Sequence, residues 1–354
     1  MLIKLTRMFA IIIFFLFASI PIALHAEEKK HDEKLSIAME KAESILKEIE
    51  NGSNLQVFDK KFVLSGSNNY LKIEEDNSFD QQMLFDAILS KLSTSQDERQ
   101  LIGGGFLAIE LNTKIGKKKN NELKLVEYLA ELLNLDKTDC QIFSIKALSS
   151  DYFKDASVFS PNSRQLIYQK IKEDPSITDL LGSDIVTADN NILMVVAKIG
   201  KTSESIKLLR DIQKENDLKS LICSAALSKM DIYEEQVALI DHFKNTTDLQ
   251  KKHDIAYALS LWGSRAAQVA LAEALRTDGH VTFNGKRPQE MIRLHIAIAL
   301  VRTIKNDKDE LPSRGAFSWK EEDFIKIENW AVNHLGTKWD VPRPKYEAVK
   351  KVPF

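Results

Sequence analysis

Cysteine is scarce: Cys140 and Cys223 are the only two in a chain of 354 residues. A disulfide-stapled fold is thereby excluded, because such folds need a dense cysteine framework. Glycine (13) and proline (8) are few as well, which rules out a collagen-like or Gly/Pro-rich low-complexity chain. Neither charge dominates, with 49 Lys+Arg against 51 Asp+Glu, so no global basic field points to nucleic acid. After the first 26 residues no long apolar run recurs, and a spanning helix needs about 20 apolar residues.

What is present begins with the N-terminus. Lys4 and Arg7 precede an uncharged stretch, Met8–Ala26, centred on Ile11–Phe17, and Ala23-Leu24-His25-Ala26 leads into Glu27-Glu28-Lys29-Lys30. A basic start, a short apolar core and small residues before charge describe a secretory signal peptide. An uncleaved anchor is the competing reading, and Pro21 argues against it. No cysteine lies near the cut, so a lipoprotein acylation site is missing. Removal of residues 1–26 leaves a net charge of −4 and no apolar run for stable membrane insertion. Sparse cysteine in an exported chain points to a bacterial periplasm.

Residues 27–79 carry a charged amphipathic helix to about Glu50, then short β-prone runs at Leu55–Phe58, Phe62–Leu64 and Tyr70–Ile73, a small hairpin or irregular arm. From Asp80 the pattern is helix after helix. Capping boxes are expected at Ser95…Glu98, Thr138…Gln141, Thr247…Gln250 and Ser318…Glu321. Self-similarity is the stronger signal. A small or β-branched residue followed by an apolar one recurs near alternate helix ends: Ala108-Ile109, Ala147-Leu148, Val195-Val196, Ala226-Leu227, Ala258-Leu259 and Ala299-Leu300. The separations are 39, 48, 31, 32 and 41, and two copies end in Gly200 and Gly263. Single amphipathic helices such as Ile206–Ile212 lie between copies. Each unit is thus a helical hairpin that cannot bury its apolar face alone.

The Ala-Leu…Gly endings at 31–32-residue spacing resemble the HEAT-like repeat family, including the short bacterial type related to phycobilin-lyase repeats. The resemblance covers residues 80–305 and implies an all-α fold, a right-handed α-solenoid. The separations of 39, 48 and 41 depart from the short-repeat pattern. Tetratricopeptide repeats fit less well, because their 34-residue period with Trp, Leu, Gly and Tyr is missing. A capping helix is expected within 306–336, with an apolar face of Phe324, Ile327, Ala331 and Leu335, and a Pro-containing basic tail over 337–354. The tail reads as a strap lying on the array, with partner docking as the other reading.

No chemistry-bearing motif emerges. Gly103-Gly104-Gly105 lacks the Gly-Lys-Ser/Thr of a phosphate loop and reads as a flexible or closely packed helix segment. The histidines show no metal-ligand spacing, and no Gly-x-Ser-x-Gly elbow occurs. No cofactor or catalytic residue is assigned. Lys114, Lys117, Lys118 and Lys119 form a basic, solvated loop. The cysteines read as buried free thiols. The sequence therefore suggests a non-enzymatic scaffold that binds another protein or a peptide. An enzyme acting on an envelope polymer, with its site assembled from separate repeats, is the alternative. The expected binding strip is Lys252, His253, Tyr257 and Trp262 on one unit and Arg293 on the next. A β-like excursion at Thr277–Glu290 should add Phe283, Lys286 and Arg287 to it.

Export yields the first testable outcome. Mass spectrometry of the native protein should find a mature N-terminus at Glu27; retention of Met1–Ala26 in a membrane fraction would favour the anchor.

Overall fold

A computed structural model describes residues 31–51, 54–58, 61–65, 80–181, 187–214, 217–283, 286–304, 311–312 and 319–345. Residues 1–26, expected to be a signal peptide, Tyr70–Ile73 and residues 346–354 lie outside them. The fold is all-α, with two small β-hairpins among the described residues. The chain divides after Ser144 into two compact units.

In the first unit, residues 31–50 form α1, followed by an antiparallel hairpin of β1 (Asn54–Phe58) and β2 (Lys61–Ser65). Three helices follow, α2 (Gln81–Leu92), α3 (Glu98–Lys114) and α4 (Lys119–Leu133), and α5 (Thr138–Ser149) starts here. The three expected glycines are helical and let α3 be approached from several sides. A Cβ on Gly104 would stand 2.7 Å from Leu92 and 2.8 Å from Leu46 of α1, and one on Gly105 would stand 2.8 Å from Phe143. Of the two readings the sequence left open, the triplet is the closely packed one.

Helix starts differ from the expected boxes by one or two residues. Asp97 accepts from the Gln100 backbone N–H at 2.8 Å and caps α3, while Ser95 donates to the Gln100 side chain. Asp248, one residue after Thr247, accepts from Gln250 and Lys251. In each case a nearby carboxylate, the stronger acceptor, takes the cap. Thr138 is the first residue of α5, Ser318 lies outside the described residues, and Asp323 reaches back to the Lys320 N–H at 2.8 Å.

The second unit holds α6 (Pro161–Glu173), α7 (Ile192–Ile199), α8 (Ser203–Gln213), α9 (Asp217–Lys229), α10 (Tyr233–Asn245), α11 (Leu249–Trp262) and α12 (Arg265–Glu273). A hairpin of β3 (His280–Phe283) and β4 (Lys286–Met291) is followed by α13 (Ile292–Thr303) and α14 (Glu321–Leu335). The repeated dipeptides all fall on odd-numbered helices. α7 packs on α9, α9 on α11, and α11 on α13. These helices are buried nearly all round: α11 buries His253 and every residue from Ile255 to Trp262, whereas α10 buries only Leu239 and Phe243. An all-round apolar helix belongs inside, and a striped one covers it. Ala226, Ala258 and Ala299 have no exposed surface, and small side chains at these positions let neighbouring odd helices approach closely. Gly263, at φ 69°, ends α11 in the left-handed conformation that a side chain would strain.

The hairpin realises the β-like excursion and sits against the start of α11, where Gly279 approaches Leu249.

The last odd helix is covered by α14 and the extended segment 337–345, held by three arginines. Arg293 donates to the Pro344 carbonyl at 2.8 Å and to Glu321 at 2.9 Å, with its guanidinium 4.4 Å from the Phe324 ring centre. Arg276 donates to the Val341 carbonyl at 2.7 Å and to Glu328 at 3.0 Å, and lies over the Trp339 ring. Arg343 closes on Glu328 at 2.7 Å. Residues 337–345 thus lie on the helices as a strap.

Burial opposes ionisation of Glu328, but hydrogen bonds and charge from Arg343 and Arg276 outweigh it and hold its carboxyl below the usual range. A carboxyl depressed in the fold stabilises fully above its unfolded pKa of about 4.3, and that stability is lost as pH falls through the folded value. Glu328→Gln should cost about 3 kcal/mol at pH 7, because it strips two arginines of their carboxylate. Urea unfolding should also show the variant losing less stability than wild type between pH 5 and pH 3. Parallel losses would contradict the assignment.

Candidate functional site

The repeat that builds the core also aligns what lies at its ends. Three residues beyond the first residue of the last five dipeptides stand Ser150, Lys198, Lys229, Leu261 and Arg302. Packing brings them into one row. Lys198 donates to the carbonyls of Leu148 (3.3 Å), Ser149 and Ser150, and Lys229 approaches the Leu261 carbonyl at 3.5 Å. The residues in these contacts are 48 and 32 apart for Lys198–Ser150 and Lys229–Leu261, matching the separations of their repeat copies. A cation at a helix C-terminus is favourable, since the last carbonyls carry partial negative charge.

The row lines a groove of about 350 Å³. Its floor is apolar, with Met194, Leu261 and Trp262 buried, and its rim is polar, with Asp151, Asp189, Asn190 and Lys229 exposed. Arg302 at the end of α13 pairs with Asp189, in the short turn before α7. That clasp joins the two outer members of the α7-to-α13 row. Ser150, Ser260 and Thr303 donate to Ala147, Tyr257 and Leu300 carbonyls at 2.6, 2.7 and 2.6 Å.

The expected strip does not form an exposed surface. His253, Tyr257, Trp262 and Arg293 are 2%, 3%, 8% and 1% exposed. His253 Nδ1 meets Asp254 at 2.7 Å, and its ring packs against His295, which the Tyr257 hydroxyl approaches at 3.4 Å. Lys252 lies over the Phe243 ring at 5.5 Å, and burial lowers its pKa. Arg293 is spent on the strap. Phe283, Lys286 and Arg287 belong to the hairpin, and their side chains are outside the description. The hairpin packs at the start of α11 while Trp262 ends that helix, about 20 Å away at 1.5 Å per residue. Of the five whose side chains are described, Trp262 alone lines the groove. Position three after each dipeptide was the sequence signal for the row; a strip chosen by residue type passed over it.

Both cysteines are buried free thiols. Burial pushes the Cys140 thiol up to about 11 and the Tyr128 hydroxyl well above its usual range, with Tyr128 donating to the Leu101 carbonyl at 2.5 Å. Among the described residues no group of three His, Cys, Asp or Glu side chains is placed to hold a metal ion, and no helix is long and apolar enough to cross a membrane. The chain matches no family model, no curated protein and no solved structure.

Proposed function

We propose that this chain is an exported, non-enzymatic scaffold, a right-handed α-solenoid of HEAT-like hairpins that holds a peptide segment of another protein. The observation that carries the reading is the groove. It is built from the same position on successive odd helices, with an apolar floor and a polar rim. Binding sites commonly combine an apolar base with a few placed polar groups. Repeat arrays offer such surfaces along their length. Export rests on the N-terminal pattern of Lys4, Arg7 and Met8–Ala26.

Site-specific photocrosslinking tests it. A photoreactive phenylalanine analogue at Asp151 or Asn190, on the rim, should capture one and the same partner segment from an extract of the source cells. The same group at Asp241, exposed on α10, should not. Capture from Asp241 alone, or from no position, would contradict the proposal.

A further inference from the structure

Beyond the groove, we propose that the strap's seat is a second peptide site, which the strap occupies within the chain. It yields to an extended segment of another protein that carries tryptophan and, four residues later, arginine followed by proline.

The strap shows how the seat reads a peptide. Arg276 and Arg293 each divide their guanidinium. Nη2 holds a glutamate of α14, Glu328 at 3.0 Å or Glu321 at 2.9 Å, and Nη1 donates to a strap carbonyl, Val341 or Pro344. Those carbonyls stand three residues apart, roughly 10 Å in extended chain, so the two arginines fix register through the main chain. Two side chains add selectivity. The Trp339 indole donates to the Ala272 carbonyl at 3.1 Å, with the Arg276 guanidinium 4.6 Å from its ring centre. Arg343 closes on Glu328 at 2.7 Å, and Glu321 is 3.7 Å away. Pro342 and Pro344 favour the extended form and bring no N–H to satisfy.

The frame stands without its occupant. With the strap displaced, Glu328 keeps Arg276 and Arg293 keeps Glu321, so neither buried ion is left alone. Little of the strap is enclosed. Only Thr337 is buried, while Lys338, Asp340, Val341, Pro342 and Lys345 are exposed. It leaves α14 at Gly336, whose surroundings are open. The seat is at the start of α13, about 13 Å along that helix from Arg302 in the groove, so the two sites are separate.

A tethered strap competes at an effective concentration of about millimolar. A partner segment therefore binds weakly while the strap is intact, and more tightly once the strap's own hold is weakened.

The experiment uses the full exported chain and a fluorescent nonapeptide with the sequence of Thr337–Lys345, both termini blocked. Anisotropy should show weak binding to the wild-type chain. Binding to a chain carrying Trp339→Ala and Arg343→Gln should be at least tenfold tighter, a gain that misfolding cannot mimic. If the double substitution lowers helicity, Arg343→Gln alone takes its place. A peptide with both substitutions should bind neither chain. On the wild-type chain, a peptide with a photoreactive phenylalanine analogue at the exposed Val341 position should crosslink within residues 265–276 or 321–335. Excess unsubstituted peptide should suppress that crosslink, and substituted peptide should not.

Equal or weaker binding to the substituted chain overturns the exchange, as does equal binding of the two peptides. Crosslinks elsewhere, or none, overturn the seat. A wild-type dimer in light scattering that the substitutions dissolve would give the seat to a second copy's strap and overturn its assignment to another protein.

Discussion

Close contact between odd-numbered helices is the constraint from which the second unit follows. α7, the second half of α9 from Ile222 to Ser228, α11 from Ile255 and most of α13 are buried on nearly every face, so each must be enclosed. Ala226, Ala258 and Ala299 let the backbones approach, and the intervening helices need only one apolar stripe each. α10 can therefore leave Tyr233 and Val237 exposed, because Leu239 and Phe243 do its packing. Regular packing has a second consequence. Whatever side chain occupies a given position recurs beside its counterparts, so a lysine placed to serve one helix end stands in line with the next. The proposed peptide groove is a by-product of that periodicity.

The apolar α13 is covered by α14 and the strap, with charges taken out of water: Arg293 is 1% exposed and Glu328 4%. Burying such groups is tolerable only when each finds partners. The two glutamates and the Val341 and Pro344 carbonyls supply them. The network couples three regions far apart in sequence: α12 with the residues just beyond it, α13, and the tail.

Much of this was legible in the sequence because helical periodicity and repeat spacing are local properties. The alternation of buried and striped helices, the glycine ends at Gly200 and Gly263, the packed triplet at Gly103–Gly105 and the excursion before α13 all leave a local trace. Long-range partners leave none. Arg293 reads as a surface cation inside an apolar helix until Glu321 and Pro344, 28 and 51 residues away, are placed beside it. His253 and His295 likewise find each other only across two packed helices. Aromatic and arginine residues are frequent at interfaces, but in this chain the same types close the core.

Amide hydrogen exchange followed by mass spectrometry tests the alternating arrangement most directly. The account predicts slow exchange along α9, α11 and α13 and distinctly faster exchange along α8, α10 and α12, at equal helicity. Equal protection of α10 and α11, or α10 exchanging more slowly, would contradict it.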